Sequence, residues 1–178
     1  YFIRALPAPF SHIVALDCSA LDTSIISLTG SPSSPCINAL RGKLYTDTPD
    51  SGLLYEIDET TFDTLSFIVD SSARAPALNT ATGVVYVANW SLGRLIAVDP
   101  VTGDTAQVSV GDEPNSAIVN PATNKVYVGH PDLAVVTVVD GTTRDTAQVP
   151  ARSTPGRAVV HPATNKVYFP NLGTEYIT

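Results

Sequence analysis

The 178-residue sequence has no methionine, one tryptophan, two cysteines and ten lysines and arginines. The two cysteines, Cys18 and Cys36, are too few for a disulfide framework and lack the spacing of a zinc site or a haem attachment motif. No apolar run approaches the roughly 20 residues that a transmembrane helix needs. The net charge of −7 argues against a phosphate-binding surface, so nucleic acid is not an expected partner.

Signatures of catalysis and cofactor binding are also missing. The sequence contains no GxSxG, HExxH or GxGxxG motif and no phosphate-binding loop. We therefore assign no catalytic residue and no metal ligand, and we expect no cofactor. Because the sequence begins at Tyr1 and lacks methionine, we expect a processed or truncated chain.

The sequence does contain a repeat with a period of 41 residues, which is visible in the two phrases NPATNKVYV and HPATNKVYF. Two aspartates recur in each copy, as in the segment DPVTGD. Their spacing does not match a calcium loop with ligands at alternate positions, and aspartate commonly caps turns, so we predict turn capping. Three sets of residues recur at this spacing of 41: Tyr45, Tyr86, Tyr127 and Tyr168; Asp17, Asp58, Asp99 and Asp140; and Asp22, Asp63, Asp104 and Asp145.

Each repeat has four short apolar segments separated by Gly, Pro, Asn and Asp, which predicts strands. In the third copy we place them at 116–120, 125–129, 134–140 and 145–149. The third strand is apolar almost throughout, which predicts burial on both faces, whereas the fourth alternates like a half-exposed edge strand. A sheet of this kind is a β-propeller blade. We therefore predict an all-β propeller of four-stranded antiparallel blades, with repeat units at 1–28 (incomplete), 35–69, 76–110, 116–150 and 157–178 (incomplete).

The turn between the first two strands of each repeat has a restricted residue. Three positions before each tyrosine stand Gly42, Gly83, Asn124 and Asn165. Glycine and asparagine tolerate positive φ, so we predict that all four residues close the hairpin in the left-handed conformation. On this argument Asn124→Val should cost about 1–2 kcal/mol and Asn124→Gly should be nearly neutral.

The segments NKVYVGH, AVVTVVD and GVVYVANWSLGRLIAVD resemble the YVTN-type β-propeller repeat. The resemblance extends over essentially the whole chain, although the name phrase itself is altered in every copy. It implies a ring of seven blades in secreted, periplasmic or cell-surface proteins, including surface-layer proteins. Related propellers are also domains of redox enzymes or lactonase-like proteins, and the fold does not choose among these functions.

The length accommodates about four repeats, so we expect an open arc that further residues or neighbouring chains complete. The alternative is a closed four-bladed ring in which a strand near 157–161 pairs with residues near 1–5. The expected function is a noncatalytic binding or structural propeller, exported or displayed at a cell surface, that holds a protein or glycan. The alternative is the propeller domain of a periplasmic or secreted enzyme with its site at the channel mouth.

Functional residues are expected where the copies differ, in the loops on one face of the propeller. We select Asp47, Trp90, His130 and Asp132 as binding candidates. An exposed Trp90 would suit stacking on a sugar or anchoring a protein, unless it covers the edge of a neighbouring blade. His130 beside Asp132 could form an acid-base or metal pair, but a hydrogen-bonded loop histidine is the favoured interpretation.

Two covalent modifications are also considered. The tripeptide NWS makes Asn89 a possible glycosylation site in an exposed loop, provided that the chain enters a glycosylating compartment. The predicted strands place Cys18 and Cys36 near opposite faces of the propeller. A disulfide between them is therefore not expected.

Overall fold

The computed structural model describes residues 10–17, 19–20 and 22–172. This part of the chain folds into antiparallel sheets, three of four strands and three of two strands. No helix within it is long and apolar enough to cross a membrane. The elements are β1 (Phe10–Asp17), β2 (Asp22–Thr29), β3 (Cys36–Asn38), β4 (Lys43–Thr48), β5 (Leu53–Asp58), β6 (Thr64–Ile68), β7 (Ala73–Leu78), β8 (Val85–Asn89), β9 (Arg94–Val98), β10 (Thr105–Ser109), β11 (Ser116–Asn120), β12 (Lys125–His130), β13 (Val135–Asp140), β14 (Thr146–Pro150), β15 (Thr154–Pro155), β16 (Val159–His161), a 3-10 turn (Pro162–Thr164), β17 (Lys166–Tyr168) and β18 (Asn171–Leu172).

The three four-stranded sheets are the predicted blades. Blade 1 comprises β3 to β6, blade 2 comprises β7 to β10, and blade 3 comprises β11 to β14, each with its strands paired in chain order. In blade 3 the strand bounds lie within one residue of those predicted from the sequence. The all-β propeller fold with four-stranded antiparallel blades is therefore confirmed.

The apolar third strands are buried on both faces because neighbouring blades pack against them. Leu95 and Ile96 are successive residues of β9 and are 0% and 1% exposed. Ile96 belongs to the hydrophobic cluster that contains Leu54 of blade 1, whereas Leu95 belongs to the cluster that contains Val126 of blade 3. Since successive side chains of a strand point to opposite faces, blade 2 is packed between its two neighbours.

The fourth strands follow the prediction in one blade and depart from it in another. In β10 the residues alternate between exposed and half-buried, as an edge strand should. In β14 every residue is exposed. The next antiparallel pair along the chain, β16–β17, is a sheet of only two strands.

All four predicted turn residues have positive φ. The values are 60° at Gly42, 85° at Gly83, 51° at Asn124 and 54° at Asn165. The hairpin prediction is thus confirmed at every copy.

The repeated aspartates cap the turn between the third and fourth strands. In blade 3 the Asp140 carboxylate accepts hydrogen bonds from the backbone N–H groups of Thr142 and Thr143, at 2.9 and 3.1 Å. The Thr143 hydroxyl donates to Asp145 at 2.8 Å. The backbone hydrogen bonds hold the pKa of Asp140 below its ordinary value. Turn capping is therefore confirmed, and the same contacts recur at Asp58 and Asp99.

Two of the remaining sheets lie against the three blades, one at each end of the series. Ile26 and Leu28 of β2 pack in one cluster with Tyr55 and Ile57 of blade 1. At the other end β16 lies beside β11 of blade 3. The closed-ring alternative would pair residues 157–161 with residues 1–5, and the latter lie outside the described residues. The open arc therefore stays a prediction.

Candidate functional site on the loop face

Two sets of connections meet at one end of the blades and form the loop face. The backbone N–H of Ser72 donates to the carbonyl of Pro49 at 3.0 Å, and that of Trp90 donates to the carbonyl of Ser72 at 3.2 Å. These bonds join the loops between second and third strands to the links between blades. The loops are 49–52, 90–93 and 131–134, and the links are 69–72 and 110–115.

Asp47 differs from the expected accessible loop residue, because it lies in β4 and is 0% exposed. One of its carboxylate oxygens accepts a hydrogen bond from the Ser33 hydroxyl. Burial is the main influence on the carboxyl and raises its pKa. The Ser33 hydroxyl, the Ala75 N–H and the Arg74 guanidinium act in the opposite direction. Asp47 therefore reaches a ligand only if the surrounding blades move.

His130 is also buried, as the last residue of β12 at 0% exposure. Its Nδ1 lies 2.7 Å from the Asp112 carbonyl oxygen and its Nε2 lies 2.9 Å from the Thr137 hydroxyl. Burial lowers the pKa of His130, although the bond to Asp112 acts in the opposite direction. Both ring nitrogens are thus engaged within the fold, which agrees with the hydrogen-bonded interpretation and leaves no histidine nitrogen for Asp132.

Asn89 occupies the position of His130 one blade earlier and is likewise 0% exposed. Its amide nitrogen lies 3.3 Å from the carbonyl oxygen of Val69 and 3.0 Å from that of Ser71. Its side-chain oxygen accepts the N–H of Leu92 at 3.0 Å. The expectation that this sequon is exposed was wrong. Asn89 belongs to β8, and its side chain bonds to both the link 69–72 and the loop 90–93. A glycan on this amide nitrogen does not fit the folded blade.

Trp90 and Asp132 are the candidates that face solvent, and Trp90 is 39% exposed. It lines an open groove of about 540 Å³ between blades 2 and 3. The apolar lining is completed by Leu92 and Leu133, each 46% exposed. The Arg74 guanidinium carbon lies 5.8 Å from the centre of the tryptophan ring, within cation-π range. This groove is the candidate binding site.

The rim of the groove is acidic. Asp112 and Glu113 line it from the link between the blades, and the carboxyl of Asp132 shares a hydrogen bond with that of Glu113. This bond, together with burial and the charges of Asp132 and Asp112, raises the pKa of Glu113. Within the described residues the salt bridges are made by Lys43 and Lys125, and none reaches this rim.

Trp90 thus lines the groove, and Asp132 lies at its rim beside Glu113, whereas Asp47 and His130 are buried. Sequence reasoning did not select Leu92, Leu133, Asp112 or Glu113. The phrase GDEPN in the link between blades was the available signal, since two adjacent acidic residues in a turn are solvent-facing by default.

No family model matches the sequence, and no curated protein sequence matches it. The described fold is similar to several solved structures. A hydrazine synthase of Kuenenia stuttgartiensis has a TM-score of 0.68 and 16% identity over 75% of this chain and 40% of that chain. A dihydro-haem d1 dehydrogenase NirN, in complex with DHE, has a TM-score of 0.75 and 14% identity over 93% of this chain and 38% of that chain. A nidogen/laminin complex has a TM-score of 0.73 and 9% identity over 94% of this chain and 71% of that chain.

At such low identities the likeness concerns the fold alone, which is that of a β-propeller. This chain corresponds to about two fifths of the first two structures. Two of the three are named as enzymes and the third as a protein complex. The fold thus occurs with both kinds of function and does not choose between them.

Proposed function

We propose that the chain is a noncatalytic binding propeller that holds a protein partner or a glycan on its loop face. The supporting observation is the groove of Trp90, Leu92 and Leu133, where three large apolar side chains are 39–46% exposed. The residues equivalent to Trp90 in the neighbouring copies are the prolines at 49 and 131. An exposed aromatic side chain without an aromatic counterpart in the neighbouring copies is typical of recognition, because the repeated architecture does not require it.

We also propose that the chain is a YVTN-type propeller that is exported or displayed at a cell surface, as in surface layers. The 41-residue period and the left-handed turn in every copy support this assignment. Val14, Leu16 and Ile25 of the β1–β2 sheet are 55%, 58% and 66% exposed, which supports completion of the ring by further blades or neighbouring chains. Protease treatment of intact cells tests the location, since a displayed propeller is cleaved without lysis.

The enzyme alternative, a redox or lactonase-like propeller domain, has one observation in its favour. The buried Asp47 has a raised pKa and lies near Arg74, and perturbed carboxyls are common in active sites. This alternative predicts that the chain hydrolyses a sugar lactone and that Asp47→Asn removes the activity. The binding proposal predicts no such turnover.

The binding proposal is tested by selecting ligands from a random peptide library and a glycan array. We expect ligands whose affinity falls about 30-fold in Trp90→Ala, which corresponds to roughly 2 kcal/mol. Thermal stability should change little, since the ring is partly exposed. Val101→Ala is the matched control, because Val101 is 71% exposed in the turn between the third and fourth strands. Ligands that bind Trp90→Ala as tightly as the wild type would contradict the proposal.

A further inference from the structure

We propose that the groove binds a peptide segment with a basic side chain, whose cation lies among Asp112, Glu113 and Asp132 while its apolar residues pack on Trp90 and Leu133. This inference rests on the proposed function and names the chemistry of the partner. It assigns recognition to residues of two blades and of the link between them.

The lining of the groove combines two chemistries that a basic peptide can satisfy together. Trp90 and Leu92 come from one loop and Leu133 from the next, so the apolar lining spans the junction of two blades. Asp112 and Glu113 lie on the link that passes between these loops. A lysine or arginine side chain has an aliphatic stem and a charged end, so it matches an apolar surface bordered by carboxylates.

Among the described residues, no basic side chain forms a salt bridge with the carboxyls of the rim. Glu113 lies close to both Asp132 and Asp112, whose carboxyls raise its pKa, so three acidic side chains meet at the rim. Arg74 lies over the tryptophan ring, and Arg94 donates a hydrogen bond to Gln107. A cation that enters the groove would relieve the repulsion among the three carboxyls.

An organic cation fits this rim better than a metal ion. Among the described residues no three His, Cys, Asp or Glu side chains are close enough to hold a metal. Guanidinium and ammonium groups can bridge more widely separated carboxylates through several N–H donors. The contact between Arg74 and Trp90 also shows that this ring already packs against a guanidinium.

The charge of the whole chain favours the same partner. The net charge of −7 attracts a basic segment and repels an acidic one, so long-range electrostatics and the local rim act together. A neutral glycan would gain nothing from this charge. A basic peptide is therefore the occupant that the observations favour, and a glycan is an outcome of the test.

Trp90 is the sole tryptophan, so its fluorescence reports directly on the groove. The probe is a hexapeptide that alternates leucine with arginine and is blocked at both ends. We expect it to shift Trp90 emission, and the matched peptide with glutamine in place of arginine to bind at least tenfold more weakly. Affinity for the arginine peptide should fall steeply between 50 and about 300 mM salt, because the attraction is screened.

A charge-matched pair of variants locates the site. The double variant Glu113→Gln, Asp132→Asn should bind the arginine peptide at least fivefold more weakly than the wild type does. Asp104→Asn with Asp145→Asn removes the same charge at two turns between third and fourth strands and should weaken binding much less than the groove variant does. Equal affinity for the glutamine peptide, no salt dependence or no effect of the groove variant would each overturn the inference.

The outcome also separates this inference from the proposed function. The glutamine peptide or an oligosaccharide could bind as tightly as the arginine peptide, and calorimetry could show that Trp90→Ala abolishes this binding. In that case the binding function stands and the basic partner is wrong. If ligands bind but Trp90→Ala does not weaken any of them, both proposals fail.

Discussion

The side-chain amide of Asn79 donates a 2.7 Å hydrogen bond to the side-chain oxygen of Asn124, 45 residues further along the chain. Asn79 opens the first hairpin of blade 2 and Asn124 closes the corresponding hairpin of blade 3. The same contact recurs between Asn120 and Asn165, at 3.4 Å. The turn residues therefore connect neighbouring blades in addition to shaping their own hairpins.

This bond changes the expected effect of replacing Asn124. From the sequence alone, Asn124→Gly should be nearly neutral because glycine tolerates positive φ. In the structure Asn79 is 0% exposed, so the glycine variant leaves a buried donor without its partner and should cost about 1–3 kcal/mol. Urea denaturation measures the loss, and Asn124→Val should cost still more. Asn165→Gly, which removes the longer bond, is the control with a smaller effect, and wild-type stability of Asn124→Gly would refute the argument.

His130→Ala should destabilise the protein, although the sequence alone placed this histidine in a loop. The ring is fully buried and contacts Asp112 and Thr137, so truncation leaves a cavity and removes two hydrogen bonds. We expect a loss of about 2–4 kcal/mol in the free energy of unfolding. His130→Asn should retain more stability, because Asn89 fills the equivalent position in blade 2. A melting temperature of His130→Ala equal to that of the wild type would show that these contacts contribute nothing.

Asp47→Asn should stabilise the protein more at pH 7 than at pH 4. The pKa of Asp47 is raised in the folded state above the ordinary 3.8 of the unfolded chain, chiefly by burial. The folded state thus binds the proton more tightly, so stability falls as the pH rises from 3.8 through the folded pKa. Asparagine carries no charge and avoids this loss while its oxygen can still accept from Ser33. Thermal melts of both proteins across this range give the difference, and a difference independent of pH would contradict the expectation.

Cys36 should resist alkylation in the native protein. It is a free thiol, half-buried against the cluster that contains Tyr45, and burial raises its pKa to about 12. Because the thiolate is the reactive form, iodoacetamide at pH 8 should modify Cys36 about a thousandfold more slowly than in urea. Peptide mapping separates it from Cys18, which lies outside the described residues. A Cys18–Cys36 peptide pair that stays unlabelled in urea without reductant would instead reveal a disulfide.

The candidate site was only partly predictable. Trp90 was identifiable because it is the sole tryptophan and has no large aromatic counterpart in other copies. Its neighbours Leu133 and Glu113 were not, because they lie on separate connections that come together only when two blades pack. Sequence also could not show that His130 and Asn89 point into the fold, since a polar residue before a loop is equally compatible with exposure.

The sequence by itself determined the blade, with its four strands, its left-handed turn residue and its capped aspartate turn. These features depend on local backbone conformation and on hydrogen bonds between residues close in the chain, so each copy repeats them independently. The packing of one blade on the next decided the rest. Three features depend on contacts between different blades or with the links between them, and therefore on the tertiary structure alone. They are the burial of Asp47 and His130, the bond from Asn79 to Asn124 and the acidic groove beside Trp90.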